Sequence, residues 1–152
     1  MATPVTKSWS VSAISEGHEP LQLFCGGQPL TQTAVGTVEN VCPVEHLLLA
    51  VAGCFALSCR AVMAKRQLPR SRFEVLVSGD KAPAPANRLA HIAVAALFDG
   101  AISEADAADI SAEAKRMCTV SNSIVAGPEW SYSARALTSR AAPTPARSVP
   151  PA

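Results

Sequence analysis

The chain has 152 residues, enough for one compact domain with a core and too few for two comfortable ones. Apolar residues make up 49% of it, which excludes an intrinsically disordered protein. A net charge of +1, with Lys and Arg scattered along the chain, gives no electrostatic footprint for nucleic acid or an anionic membrane, and neither is an expected partner.

The longest apolar stretch, Leu47 to Cys59, falls short of the roughly 20 residues that cross a bilayer. The opening "MATPVTKSWSVS" lacks the apolar core of a secretory leader, so the expected location is cytoplasmic. Thiols stay reduced there unless they cycle. Five Cys is an odd number, and a fully paired structural disulfide framework is not expected.

In chain order, the first third reads as extended. "KSWSVSAIS" alternates Trp9, Val11 and Ala13 against Ser8, Ser10 and Ser12, the pattern of a half-buried strand. "EGHEP" makes a turn, "LQLFC" a second strand, and Gly26-Gly27 a hairpin into a short third strand, "QPLTQT". Pro29 confines that third strand to an edge or a strand start.

Pro43 suits the first turn of a helix, where its missing N–H has no partner to lose. From Glu45 to Gln67 the chain is apolar on nearly every face until Arg60, which predicts a helix buried on most sides. Gly53 costs such a helix about 1 kcal/mol relative to Ala, which suggests that another backbone approaches closely there. Pro69 ends it. "RFEVLVSG" and "NRLAHIAVAALF" read as two more strands, joined by the Pro/Ala loop "DKAPAPA".

Ser103-Glu104-Ala105-Asp106 is a helix-opening pattern for a second helix reaching about Met117. "CTVSNSIVAG" follows as a short third helix, stopped by Gly127 and Pro128, and "EWSYSARAL" as a last strand. Strands, long helix, strands, helices, strand: the fold class is α+β, in one domain over residues 1–138. The Pro/Ala-rich tail, 139–152, has no apolar pattern to bury and is expected to be disordered and dispensable for folding.

The thiols are the candidates for chemistry. Cys54 has a bland reading as a small apolar residue in a buried helix. Cys59 lies five residues on, about 140° around the helix, so the two do not share a face, and Cys59 reads as core. No C-x2-C or H-x3-H spacing occurs among the five Cys and three His, so neither a metal nor another cofactor is expected. Cys118 falls at the break between two helices, where free N–H groups and the neighbouring Lys115 and Arg116 favour a thiolate. Such a thiol is either reactive or an ordinary neighbour of a helix cap, and local sequence weighs the two evenly.

Taken together, "PVEHLLLAVAGCFALSCRAVMAKR" and, some sixty residues later, "AKRMCTVSNSI" resemble the OsmC/Ohr family, the osmotically induced and organic-hydroperoxide-resistance proteins. Pro43, Leu47, Leu48, Ala50, Ala52, Gly53 and Cys54 match its first motif. Cys118, Val120 and Ser121 match its second, with Thr119 where proline is usual. The resemblance spans roughly residues 7 to 138. It implies an intertwined homodimer, with antiparallel sheets around the long central helices. It also implies a thiol peroxidase for organic hydroperoxides that protects against oxidative stress. Cys54 is implied as the thiol that becomes a sulfenic acid, Cys118 as the thiol that condenses with it, and a dithiol or lipoyl-type molecule as reductant.

Two positions depart from that pattern. The peroxide-reducing members have Glu where this chain has Val44, and an Arg in the N-terminal strands, whereas no Arg precedes Arg60 here. Glu45 and His46 are the nearest candidates for a supporting role, with Lys7 and His18 as substitute cations, although an ammonium does not reproduce a guanidinium fork. An ordinary thiol with a pKa of ~8.5 is only a few per cent thiolate at neutral pH, so the departures imply weakened peroxidase chemistry. The alternative is a catalytically degenerate dimer of the same fold that binds a small apolar or thiol-containing ligand.

Overall fold

The computed structural model describes residues 8–17, 19–29, 43–124 and 127–137. Its elements follow the expected order. They are β1 (Ser8–Ser15), β2 (Gln22–Cys25), β3 (Gln28–Pro29), α1 (Pro43–Lys65), β4 (Phe73–Lys81), β5 (Leu89–Phe98), α2 (Glu104–Met117), α3 (Thr119–Ser123) and β6 (Glu129–Ala136). They form a mixed α+β fold with one six-stranded sheet in the order β3-β2-β1-β4-β5-β6.

The sheet is antiparallel from β3 through β5, and β6 then adds parallel to β5. A parallel neighbour needs a crossover, and α2 with α3 supplies it. The β2–β3 hairpin closes on Gly26 and Gly27 at φ of 54° and 79°. Two successive positive φ values are what a tight two-residue hairpin turn requires, and glycine adopts them without steric cost. β3 is the edge strand, where Pro29 loses no ladder bond to a further neighbour.

One face of the sheet is built for a helix layer. Phe73, Val75 and Val77 alternate inward on β4, and Ile92, Val94, Ala96 and Phe98 on β5. On β6, Trp130, Tyr132 and Ala134 form the half-buried set, with the residues between them exposed. α1 lies against this face, burying Leu48, Val51, Ala52, Phe55, Cys59 and Val62 completely. Each large side chain so buried contributes about 1.5–3 kcal/mol, which is why the helix holds its place without a strongly one-sided pattern. α1 has the length and hydropathy of a membrane span, yet much of it is buried against the domain's own sheet.

The Ser103 hydroxyl caps α2 by accepting from the Asp106 N–H at 3.1 Å, as its sequence pattern predicts. Gly53 departs from expectation: among the described residues nothing lies within 4 Å of the place a Cβ would occupy. It faces away from the sheet. The close approach is at Gly79 on β4 instead, where the Leu48 methyl groups and a Leu89 methyl would sit 3.3 Å from an added Cβ. The tail at 139–152, the extension of the third strand beyond Pro29, Cys42, Lys7 and His18 lie outside the described residues.

Candidate functional site

Two distant segments meet where α2 ends. Cys118 is at once the C-cap of α2 and the N-cap of α3, with φ −70° and ψ 98°. Its N–H closes α2 by donating to the Ala114 carbonyl at 2.9 Å. This extended residue between two helical segments turns the Cys118 side chain inward, where it is fully buried. There it lies near enough to Cys54, from the middle of α1, for the second thiol to raise its pKa further. Both are free thiols, Cys54 half-buried and Cys118 buried.

The environment of Cys118 corrects the expectation of a thiolate stabilised by a helix end. Burial pushes its thiol up from the ordinary range. The Ser121 hydroxyl and backbone N–H beside the sulfur work against that shift, while the proximity of Cys54 adds to it. Desolvation wins because α3 has only five residues, and no side-chain bond completes a cap on it. The nearby Lys115 ammonium lies over the Tyr132 ring, 4.7 Å from its centre. Cys118 is thus a buried thiol that its surroundings make harder to ionise.

Aromatic side chains gather beside Cys118, with Tyr132 nearest to it. Phe55 and Tyr132 pack with ring centres 5.7 Å apart, and Trp130 stacks on Tyr132 at 5.9 Å. Burial raises the Tyr132 phenol, the nearby Ser121 hydroxyl lowers it, and the proximity of Cys118 raises it again. The Ser121 hydroxyl donates its one proton to the Cys118 carbonyl at 3.2 Å, fixing the turn that presents the sulfur. On the α1 side, the Ser58 hydroxyl donates to the Cys54 carbonyl at 2.9 Å. Tyr132 and Phe55 escaped the sequence reading as site residues because their signal is the ordinary one of core alternation.

The two candidate helpers are not drawn to the thiols by α1. Glu45 is nine residues before Cys54, roughly 13 Å along the axis and about 180° around it, and His46 is one residue nearer. Glu45 is half-buried and His46 exposed, each engaged in contacts of its own. Cys25 ends β2 opposite Val11, and Cys59 sits in the core, its thiol pushed well up by burial and then by Cys118. Among the described residues no three His, Cys, Asp or Glu side chains gather as metal ligands.

Residues 36–133 match the model of the OsmC-like protein family, about two thirds of the chain. The chain belongs to the OsmC-like family. Solved structures with the same fold include an OsmC-like protein from Mycoplasma pneumoniae, 13% identical, with a TM-score of 0.60 over 83% of this chain and 95% of that one. An organic hydroperoxide resistance protein from Elizabethkingia anophelis, solved with thiocyanate bound, is 13% identical at a TM-score of 0.52, covering 86% of this chain and 97% of its own. The Legionella pneumophila protein described as an organic hydroperoxide resistance protein OsmC and predicted redox protein is 20% identical at 0.50, over 88% of this chain and 98% of its own. No curated protein sequence matches this OsmC-like chain significantly.

Proposed function

We propose that this OsmC-like chain is a cytoplasmic two-cysteine thiol peroxidase that reduces organic hydroperoxides as a homodimer. The observation that carries the reading is the proximity of a half-buried thiol, Cys54, to a fully buried one, Cys118. The accessible member meets the peroxide, and the buried one waits for the product. The Cys54 thiolate attacks one peroxide oxygen; the O–O bond breaks, an S–O bond forms, and the alkoxide leaves to take up a proton as the alcohol. Cys54 is then a sulfenic acid. The Cys118 sulfur attacks it, and the Cys118 proton leaves with the hydroxyl as water, giving a disulfide. A dithiol or lipoyl-type reductant supplies two electrons and two protons to restore both thiols. The aromatic side chains beside Cys118 suit a peroxide with an apolar body.

Self-association is supported by the outward side of α1. Leu47, Ala50, Leu57, Ala61 and Ala64 are exposed there at spacings of three, seven, four and three residues, one stripe along the helix, with Leu57 55% accessible. A second α1 laid on that stripe would also cover the open side of Gly53.

Val44 in place of the usual Glu, and the lack of any Arg before Arg60, favour the second reading, a binding dimer without turnover. Consumption of cumene hydroperoxide in the presence of dithiothreitol separates the two. The peroxidase reading predicts turnover that falls to background in Cys54→Ser, and a sulfenic acid that persists on Cys54 in Cys118→Ser before the dithiol is added. Turnover unaffected by Cys54→Ser, or no turnover in the parent, contradicts it.

A further inference from the structure

Away from the thiols, a cavity of about 230 Å³ opens between the last two turns of α1 and the far end of the sheet. Its chemistry is unlike that of the thiol site. Arg60 and Arg70 stand on its wall with Ser15 and Ser71, above a floor of Met63 and Phe73. Ser15 follows Val11 and Ala13 on the helix-facing side of β1 and pairs across the sheet with Phe73, so its side chain points towards α1.

Ser15 is 1% exposed, and its hydroxyl, like that of Ser71, has no hydrogen-bond partner among the described residues. Buried hydroxyls without partners are uncommon in folded proteins, and two on one cavity mark a place where an acceptor is missing. The Arg60 guanidinium is already oriented there. It donates to the Gly17 carbonyl at 2.9 Å and to the Glu19 carbonyl at 3.3 Å, which leaves part of its five-donor fork for another acceptor.

We propose that this cavity is a binding site for a small organic carboxylate. The hydroxyls of Ser15 and Ser71 and the guanidinium of Arg60 supply donors for its two oxygens, since Arg matches a planar carboxylate with paired N–H groups, and Arg70 adds positive charge at the wall. Met63 and Phe73 receive a short apolar body. A free phosphate dianion fits less well, because it has no apolar part to set against Met63 and Phe73. Neither Cys54 nor Cys118 lines the cavity. The site is therefore independent of the thiol chemistry.

Calorimetric titration with sodium hexanoate tests the proposal, with inorganic phosphate as the comparison. Saturable one-to-one binding of hexanoate with a Kd below ~10 mM is expected, at least ~tenfold tighter than phosphate. Arg60→Gln should weaken it ~tenfold or more, and Cys54→Ser should leave it unchanged. Ser15→Ala separates binding from folding: it removes a hydroxyl that is unpartnered in the free protein, so the thermal midpoint should hold or rise while hexanoate affinity falls. Ala61 and Ala64 belong both to this cavity and to the outward stripe of α1, so sedimentation accompanies each titration. No saturable binding, binding insensitive to Arg60→Gln, phosphate binding as tightly as hexanoate, or an oligomeric state that changes with Arg60→Gln would each overturn the proposal.

Discussion

Cys54 and Cys59 sit five residues apart on one helix and have different surroundings. Cys59 faces the sheet, is fully buried, and carries a thiol that burial pushes well up. Cys54 is half-buried on another side and lies near Cys118. The difference is set by about 140° of helix rotation, not by residue type. Both thiols lie near Cys118, so what separates them is access: Cys59 is enclosed by the core, whereas Cys54 at its margin can be reached from outside. The two sides of α1 repeat the lesson, because both are apolar and only one finds its cover within the described chain.

The largest effect on stability should come from the sheet-facing side. Phe55→Ala empties a fully buried position and should cost about 3–5 kcal/mol in denaturant unfolding. Leu57→Ala, two residues on and 55% exposed, should cost a dissociated chain less than about 0.5 kcal/mol. If the outward stripe is the subunit contact, Leu57→Glu should instead convert the dimer to monomer in sedimentation. A dimer that survives Leu57→Glu would put the contact elsewhere and undo the comparison of the two sides.

A smaller effect sharpens the contrast between the thiols. The folded state holds protons on Cys59 and Cys118 more tightly than the unfolded chain, because burial raises both groups. Their contribution is therefore fully present below the unfolded thiol pKa, near 9, and is lost as pH rises above it towards the folded values. Stability should fall by up to ~1.4 kcal/mol per pH unit for Cys59 above pH ~9. Cys59→Ala should flatten that fall in urea titrations between about pH 9 and 10.5, and an unchanged slope would show that Cys59 is not the group responsible. The same raised Cys118 implies that disulfide formation, after Cys54 has been oxidised, speeds up towards alkaline pH.

Much of the fold is legible in the sequence because its signals are local. Alternation in "KSWSVSAIS" and "EWSYSARAL", glycines at a hairpin, and a serine cap at Ser103 each act within a few residues. The parallel placement of β6 is not local; it depends on how α2 and α3 cross the sheet. The site divides in the same way. The break at Cys118 is visible as a junction of two helical segments, but the meeting of Cys54 with a residue 64 positions away follows from tertiary packing, and only the family resemblance anticipates it. Glu45 looks like a neighbour of the site in sequence and is on the far side of the helix in space. The cavity beside Arg60 has no sequence signature, because Ser15, Arg60 and Ser71 come from three separate segments.

Peptide mapping after one equivalent of cumene hydroperoxide tests the pairing of Cys54 with Cys118 most directly. With no reductant present, two thiols per chain should disappear, and the fragments should carry a Cys54–Cys118 disulfide with Cys59 still free. A Cys54 and Cys118 that both remain unmodified, or a disulfide that joins Cys59 instead, would contradict it.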